Sequence, residues 1–298
     1  MQKYTKINTM YKRYVFQGLE CPNEKWKRFK NQIILGEFSD KVAEYLFNNE
    51  WEAYSKIDGT NCKIAYFPSS KKICVEGKDE NSQNQRGCFE YIESIANRIK
   101  PMLEEMFPPS CARFIQTKDK ETKQTVYYNA DDTSITEPIS NEGKYIVNLE
   151  EAPIYIYGEY YGNGIQKCGK QYIADGIDFV VFDINQQGWW LPKNLRDEMC
   201  QKLNLPQVPF LGYMTLADVE KMVRKGFTTK LENVSNPTLI EEGIVCRPTV
   251  PLFYNSSNRV ITKVKYCDYV KYDKARQEFT DEEFNEFNEW YHQNTLQP

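Results

Sequence analysis

Residues 52–67 read EAYSKIDGTNCKIAYF, two strand-like runs on either side of an Asp-Gly pair. Asp-Gly is a strong turn signal, so this stretch folds as a hairpin or as a tight strand-loop-strand. Further strands are expected at ICV (73–75), YIYGEYYG (155–162), DFVVFDI (178–184), EEGIVCRP (241–248) and RVITKVKY (259–266). Helices are fewer. Phe89, Ile92, Ile95, Ala96 and Ile99 recur at helical spacing, which predicts a helix ending near Pro101. Thr215 with Asp218 opens a second helix that stops near Gly226, and Thr280 with Glu283 opens a third, with Phe284, Phe287 and Tyr291 on its apolar face. Strands dominate and do not alternate regularly with helices. The expected class is therefore α+β, with packed, largely antiparallel sheets flanked by helices.

A chain of 298 residues can bury a substantial core. No repeat and no linker divides it, so a single domain over 1–298 is expected. The polar stretch 116–144 is read as a loop or an exposed hairpin.

The residue inventory narrows the chemistry. His292 is the only histidine, which nearly excludes histidine catalysis and multi-histidine metal sites. The nine cysteines, Cys21, Cys62, Cys74, Cys88, Cys111, Cys168, Cys200, Cys246 and Cys267, are odd in number and include no Cys-x-x-Cys pair. Free thiols are expected, not a disulfide framework or a zinc site. No apolar run is long enough to span a bilayer, and MQKYTKINTMYKRY has no signal-peptide core. A cytoplasmic location is expected. Net charge is −4, so any nucleic-acid contact must rest on local patches. Lys25–Lys30 and Lys263–Arg276 are candidates, though a solvated face is the plainer reading of each.

Lysine and carboxylate chemistry remain. Lys56-Ile57-Asp58-Gly59 is a weak signal alone, since Lys-x-Asp-Gly arises by chance in roughly one chain of this length in fifteen. Its plain reading is a turn with a surface lysine. Its chemical reading is a nucleophilic lysine, which attacks phosphorus only when its amine is neutral. Such a site also needs carboxylates for a divalent metal, lysines for a triphosphate and an aromatic face for a base. Glu159, Phe179, Glu242, and Lys263 with Lys265 on one strand face supply these in order. Each alone is better explained structurally; the joint order carries the argument.

KIDGTN, YGEYYGNGIQ, DFVVFDI, EEGIV and ITKVKY resemble motifs I, III, IIIa, IV and V of the covalent nucleotidyltransferases. Within that superfamily they most resemble the ATP-dependent RNA ligases of phages. KINTMYKR, ILGEFSD and MTLADVEKMVRKGF also fit that pattern. The resemblance spans nearly the whole chain except about 108–150, an expected insertion. It implies an ATP-grasp-like nucleotidyltransferase fold.

By this resemblance Lys56 takes AMP from ATP, passes it to an RNA 5′-phosphate, and a 3′-hydroxyl then seals the strand. Asp58, Glu159 and Glu242 match the positions that hold Mg²⁺ or Mn²⁺, mostly through water, which suits scattered single carboxylates. Lys263 and Lys265 match the phosphate-binding lysines, Phe179 the ring that stacks on adenine, and Ile57 the residue between nucleophile and acid. Asn61 matches a position facing the RNA ends. Ser55 stands where the family usually has an acidic residue that helps read the adenine amino group, and Lys78 where it usually has arginine. No OB-fold is expected after residue 266, which weighs against DNA ligases and capping enzymes. The resemblance implies a monomer acting on RNA with 5′-phosphate and 3′-hydroxyl ends, with phage RNA repair in the host cytoplasm as its role by analogy. The rivals are a capping-type guanylyltransferase and a catalytically silent RNA-end-binding module.

Overall fold

A computed structural model describes residues 4–295 except Ser69, 78–87, 109–113, 119–124, 130–152, Gln187 and 255–257. Lys78 and most of the expected insertion lie outside the described residues. In chain order the strands are β1 (Asn8–Thr9), β2 (Tyr11–Arg13), β3 (Ile33–Phe38), β4 (Trp51–Lys56), β5 (Thr60–Phe67), β6 (Lys72–Gly77), β7 (Phe114–Lys118), β8 (Thr125–Asn129), β9 (Ile154–Gly162), β10 (Ile177–Gln186), β11 (Trp189–Trp190), β12 (Phe210–Met214), β13 (Gly243–Pro248) and β14 (Thr262–Lys265). The helices are α1 (Lys41–Tyr45), α2 (Cys88–Met106), α3 (Gly169–Tyr172), α4 (Lys193–Leu203), α5 (Leu216–Lys225), α6 (Tyr266–Arg276) and α7 (Asp281–Thr295), with a 3-10 turn at Glu24–Phe29.

The chain divides into two compact units. The first runs over Gly59–Gln207 and holds an antiparallel sheet in the order β11-β10-β9-β5-β6. Its core is built from Ile64, Ile156, Phe179, Val181 and Ile184 with Ile92, Ala96, Ile99 and Leu103 of α2 and Met199 and Leu203 of α4. The apolar face of α2 runs past the expected stop. Pro101 lies inside the helix, which continues to Met106. Proline removes one helical hydrogen bond, but Leu103 is fully buried beyond it and keeps the last turns on the sheet. Within the 108–150 segment, β7 and β8 pair antiparallel.

The second unit joins Tyr4–Asp58 to Val208–Pro298. Its sheet has the order β1-β14-β13-β4-β12, antiparallel except for the parallel β1–β14 pair. Thus β4 and β5, which flank the Asp-Gly signal, are not hairpin partners. They form the strand-loop-strand alternative, each in its own sheet.

Capping fixes two helices of this unit as expected. Thr215 Oγ1 accepts from the Asp218 N–H at 3.1 Å, and Gly226 at φ 77° ends α5. Thr280 and Glu283 make the reciprocal box, with bonds of 2.9 and 3.2 Å. α7 then packs on the N-terminal segment: Phe287 stacks on Phe29 at 4.7 Å, and the Tyr291 hydroxyl accepts from the Val15 N–H at 2.9 Å. Cys62, Cys200 and Cys246 are buried free thiols. No helix among the described residues is long and apolar enough to cross a membrane.

Candidate active site

Three strand ends of the second unit converge on one row. Lys56, the last residue of β4, stands opposite Gly243, the first of β13, which stands opposite Lys265, the last of β14. The next row with the same orientation is Tyr54–Val245–Lys263. Side chains alternate across a strand, so Lys56, Lys263 and Lys265 share one face. The opposite face carries Ala53, Ile244, Cys246 and Val264 into the core. Gly243 is needed in this row because an added Cβ would lie 2.0 Å from the Val264 carbonyl oxygen.

Glu242 bridges the two lysines. Lys56 Nζ donates to its Oε2 at 2.5 Å, and Lys265 Nζ reaches its Oε1 at 2.6 Å. Lys263 forms no ion pair among the described residues. Burial, with the charges of Lys56 and Lys265, pushes its amine down to about 8. Asp58, at the turn after Lys56, has its carboxyl raised by burial and by the negative charge of Glu242. A cation beside Asp58 and Glu242 would relieve that repulsion. Among the described residues no group of three or more His, Cys, Asp or Glu side chains is set to hold a metal. Single carboxylates fit an ion that keeps most of its waters.

Ser55 and Ile57 flank the nucleophile candidate and are both buried. Ser55 shares its row with Ile244 and Val264, on the face opposite Lys56, and its N–H donates to the Pro209 carbonyl at 2.9 Å. Glu241 is buried there too. The Ser55 and Thr229 hydroxyls and the backbone at Lys230 and Glu242 surround its carboxyl, yet neither oxygen meets a donor in full hydrogen-bond geometry. Burial raises that carboxyl. Only the doubled Glu of EEGIV hinted at it.

In the first unit, Glu159 on β9 stands between Asn61 on β5 and Val180 on β10, so Asn61 and Glu159 lie side by side on one face. Gly59 packs so closely here that a Cβ would meet the Tyr160 carbonyl oxygen at 2.4 Å and Glu159 Cγ at 2.8 Å. The glycine of KIDG is thus fixed by packing as well as by the turn. Phe179 pairs with Tyr160, on the face opposite Glu159, and is fully buried in the core of that unit. Its ring lies over Gly158, where a Cβ would come within 2.2 Å. The register of β10 shifts between Val181 and Asp183, and the residue inserted there is the half-buried Phe182. The two phenylalanines of DFVVFDI are indistinguishable by pattern, and the bulge that separates them leaves no mark in the sequence.

Of the two basic clusters, the first is largely neutralised: Lys25 pairs with Glu283 at 2.8 Å, Arg28 with Glu278 at 2.7 Å, and Lys27 with Glu24. In the second, Lys265 belongs to the Glu242 bridge and Arg276 pairs with Asp281.

A family model described as RNA ligase matches residues 49–265, a span that opens just before the Lys56 strand and closes on Lys265. The chain belongs to the RNA ligase family. Solved structures of the RNA ligase from Naegleria gruberi are similar in fold. An apo variant aligns at 17% identity with a TM-score of 0.46, over 78% of this chain and 54% of that one. A variant with ATP and Mn aligns at 17% and 0.47, over 92% and 65%. A variant with AMP and Mn aligns at 15% and 0.48, over 91% and 64%. This chain therefore spans between about half and two-thirds of the length of the RNA ligases it matches. No curated protein sequence matches it.

Proposed function

We propose that this RNA ligase family member is an ATP-dependent ligase that joins RNA 5′-phosphate and 3′-hydroxyl ends through a lysyl–AMP adduct on Lys56. The observation that carries the reading is the Lys56–Gly243–Lys265 row with Glu242 bridging its two amines.

In the first step the neutral Lys56 amine attacks the α-phosphorus of ATP. An N–P bond forms, the bond to the β-phosphate oxygen breaks, pyrophosphate leaves and the amine loses its proton. In the second, an RNA 5′-phosphate oxygen displaces Lys56 from phosphorus. In the third, a 3′-hydroxyl attacks the activated 5′-phosphate, and AMP departs. Lys263 and Lys265 bind the phosphates. The polyphosphate gives Lys265 a new partner, and the negative charge at Glu242 and Asp58 becomes available to a cation.

Asp58, Glu242 and, by family likeness, Glu159 would hold Mg²⁺ or Mn²⁺ mainly through water. When bound, the ion adds positive charge that steadies the crowded phosphate. Asn61 is assigned by the same likeness to the RNA ends. For the adenine we assign Phe182 instead of Phe179, because a ring at 0% exposure inside a core has no face to offer a base. Repair of broken RNA is the role this chemistry fits.

The test is a sealing assay with 5′-phosphate and 3′-hydroxyl RNA, with DNA ends and GTP as the comparisons. Joining of RNA with ATP supports the reading. Use of GTP alone moves the protein to capping-type chemistry, with Ser55 the first residue to replace. Binding of RNA without transfer from either nucleotide leaves a silent end-binding module.

A further inference from the structure

The edge strand β12 carries Phe-Leu-Gly-Tyr-Met at 210–214. In an unbroken strand Phe210 and Tyr213, three residues apart, would point to opposite faces. The register instead shifts between Phe210 and Gly212, and Gly212 adopts φ +121°. Phe210 then stands opposite Tyr54, and Tyr213 opposite Glu52. Both rings are carried on the Lys56 face, while Leu211 and Met214 pack against the core on the other.

The rings are placed as a unit. Phe210 and Tyr213 meet edge to face with centroids 5.2 Å apart, and Phe210 lies 5.3 Å from Tyr54. Tyr54 is buried, anchored by its hydroxyl bond to Glu52 at 2.6 Å, with the Arg247 guanidinium 5.1 Å from its ring centroid. The outer rings are open: Phe210 is 37% exposed and Tyr213 55%. Bulges recur beside functional sites because they re-aim a side chain. Here the bulge turns a second aromatic ring toward solvent on the same face as the first, so that the two make a paired, open aromatic surface.

The surroundings say what covers it. Tyr54 is two residues, about 7 Å of strand, from Lys56. The same sheet face carries Arg247 opposite Glu52, then Lys263, then Lys56 and Lys265 with the Glu242 they share, in neighbouring rows. Exposed rings beside a face where basic residues outnumber carboxylates form the kind of surface that holds single-stranded nucleic acid, where bases stack and phosphates pair with the charges. We propose that Phe210 and Tyr213 form a stacking platform for a base of the RNA strand near the end being joined. This rests on the proposed ligase reading for the identity of the strand, and the rings themselves take no part in adduct formation.

The platform is tested by fluorescence anisotropy with a labelled single-stranded RNA bearing a 5′-phosphate, and by adduct formation with labelled ATP on the same preparations. Circular dichroism confirms that each variant is folded. Phe210→Ala/Tyr213→Ala should weaken RNA binding by roughly 10- to 100-fold. Tyr213→Phe, which keeps the ring, should stay within about twofold of the wild-type protein. Trp189→Ala, an exposed ring in the other unit, should leave affinity unchanged. Unchanged RNA affinity in the folded double variant would overturn the proposal. So would intact RNA binding with loss of the ATP adduct, which would assign the rings to the nucleotide. If the wild-type protein forms no adduct yet loses RNA affinity with the two rings, the ligase reading fails while the platform stands.

Discussion

Lys56 and Lys265 flank Gly243 in a single row across three strands, and one carboxylate, Glu242, accepts from both. The spacing of that row depends on the missing Cβ at Gly243. In Gly243→Ala the new atom meets the Val264 carbonyl oxygen at 2.0 Å, so β13 and β14 must move apart. The expected loss is about 2–3 kcal/mol of stability with at least a tenfold fall in adenylation. Thermal unfolding together with adduct formation measures both, and a variant with unaltered melting and rate would contradict the geometry.

Glu242→Gln keeps the shape of the bridge and removes its charge. Lys56 and Lys265 then face one another and Lys263 without the shared anion. Adenylation should fall by about 100-fold or more, with melting lowered by only a few degrees. A near-normal rate in this variant would remove Glu242 from the machinery.

Lys263 yields a prediction of opposite sign for stability and activity. Its amine is near 8 in the folded protein, against about 10.4 in an unfolded chain. Between those values the unfolded chain binds more protons, so this residue makes stability rise with pH from about 8 to about 10. At pH 7 its charge is a burden on the fold. Lys263→Met should therefore raise the melting temperature at pH 7 by a few degrees, about 1 kcal/mol after allowance for partial exposure, with the advantage gone near pH 10. The same variant should be deficient in adenylation. Calorimetry at the two pH values checks it; destabilisation at pH 7 would contradict the electrostatic account.

The two phenylalanines of β10 should separate cleanly. Phe179→Ala opens a cavity in the core of its unit and should cost about 3–5 kcal/mol. Phe182→Ala should leave melting nearly unchanged and weaken ATP binding by roughly tenfold. Equilibrium binding of ATP to the two variants decides which ring meets the base. Normal affinity in Phe182→Ala would return the question to other residues.

The strands that carry Lys56, Glu159, Lys263 and Lys265 were legible because each is a short alternating run bounded by a turn signal, and the capped helices α5 and α7 were legible from their Thr-x-x-acid boxes. The convergence of Lys56 and Lys265 on Gly243 was not, because strand order is a long-range property that no local pattern encodes. Two bulges lie beyond what strict alternation can show: one at Phe182, which leaves the two phenylalanines of β10 alike in pattern, and one at Gly212, which puts Tyr213 on the same face as Phe210. α2 continues past Pro101 because burial of Leu103 outweighs proline's local cost, and that burial depends on tertiary packing that helical spacing does not reveal. Ser55, a departure from the family pattern, proved to face the core beside Glu241, which alternation along β4 from Lys56 already implied.

In the proposed mechanism Lys56 becomes covalently joined to AMP. Incubating the protein with Mg²⁺ and ATP labelled at the α-phosphate, followed by denaturing electrophoresis, tests it directly. The wild-type protein should give a labelled band that survives denaturation, and Lys56→Ala should give none. Label that persists in Lys56→Ala, or its absence from folded wild-type protein free of pre-bound AMP, would contradict it.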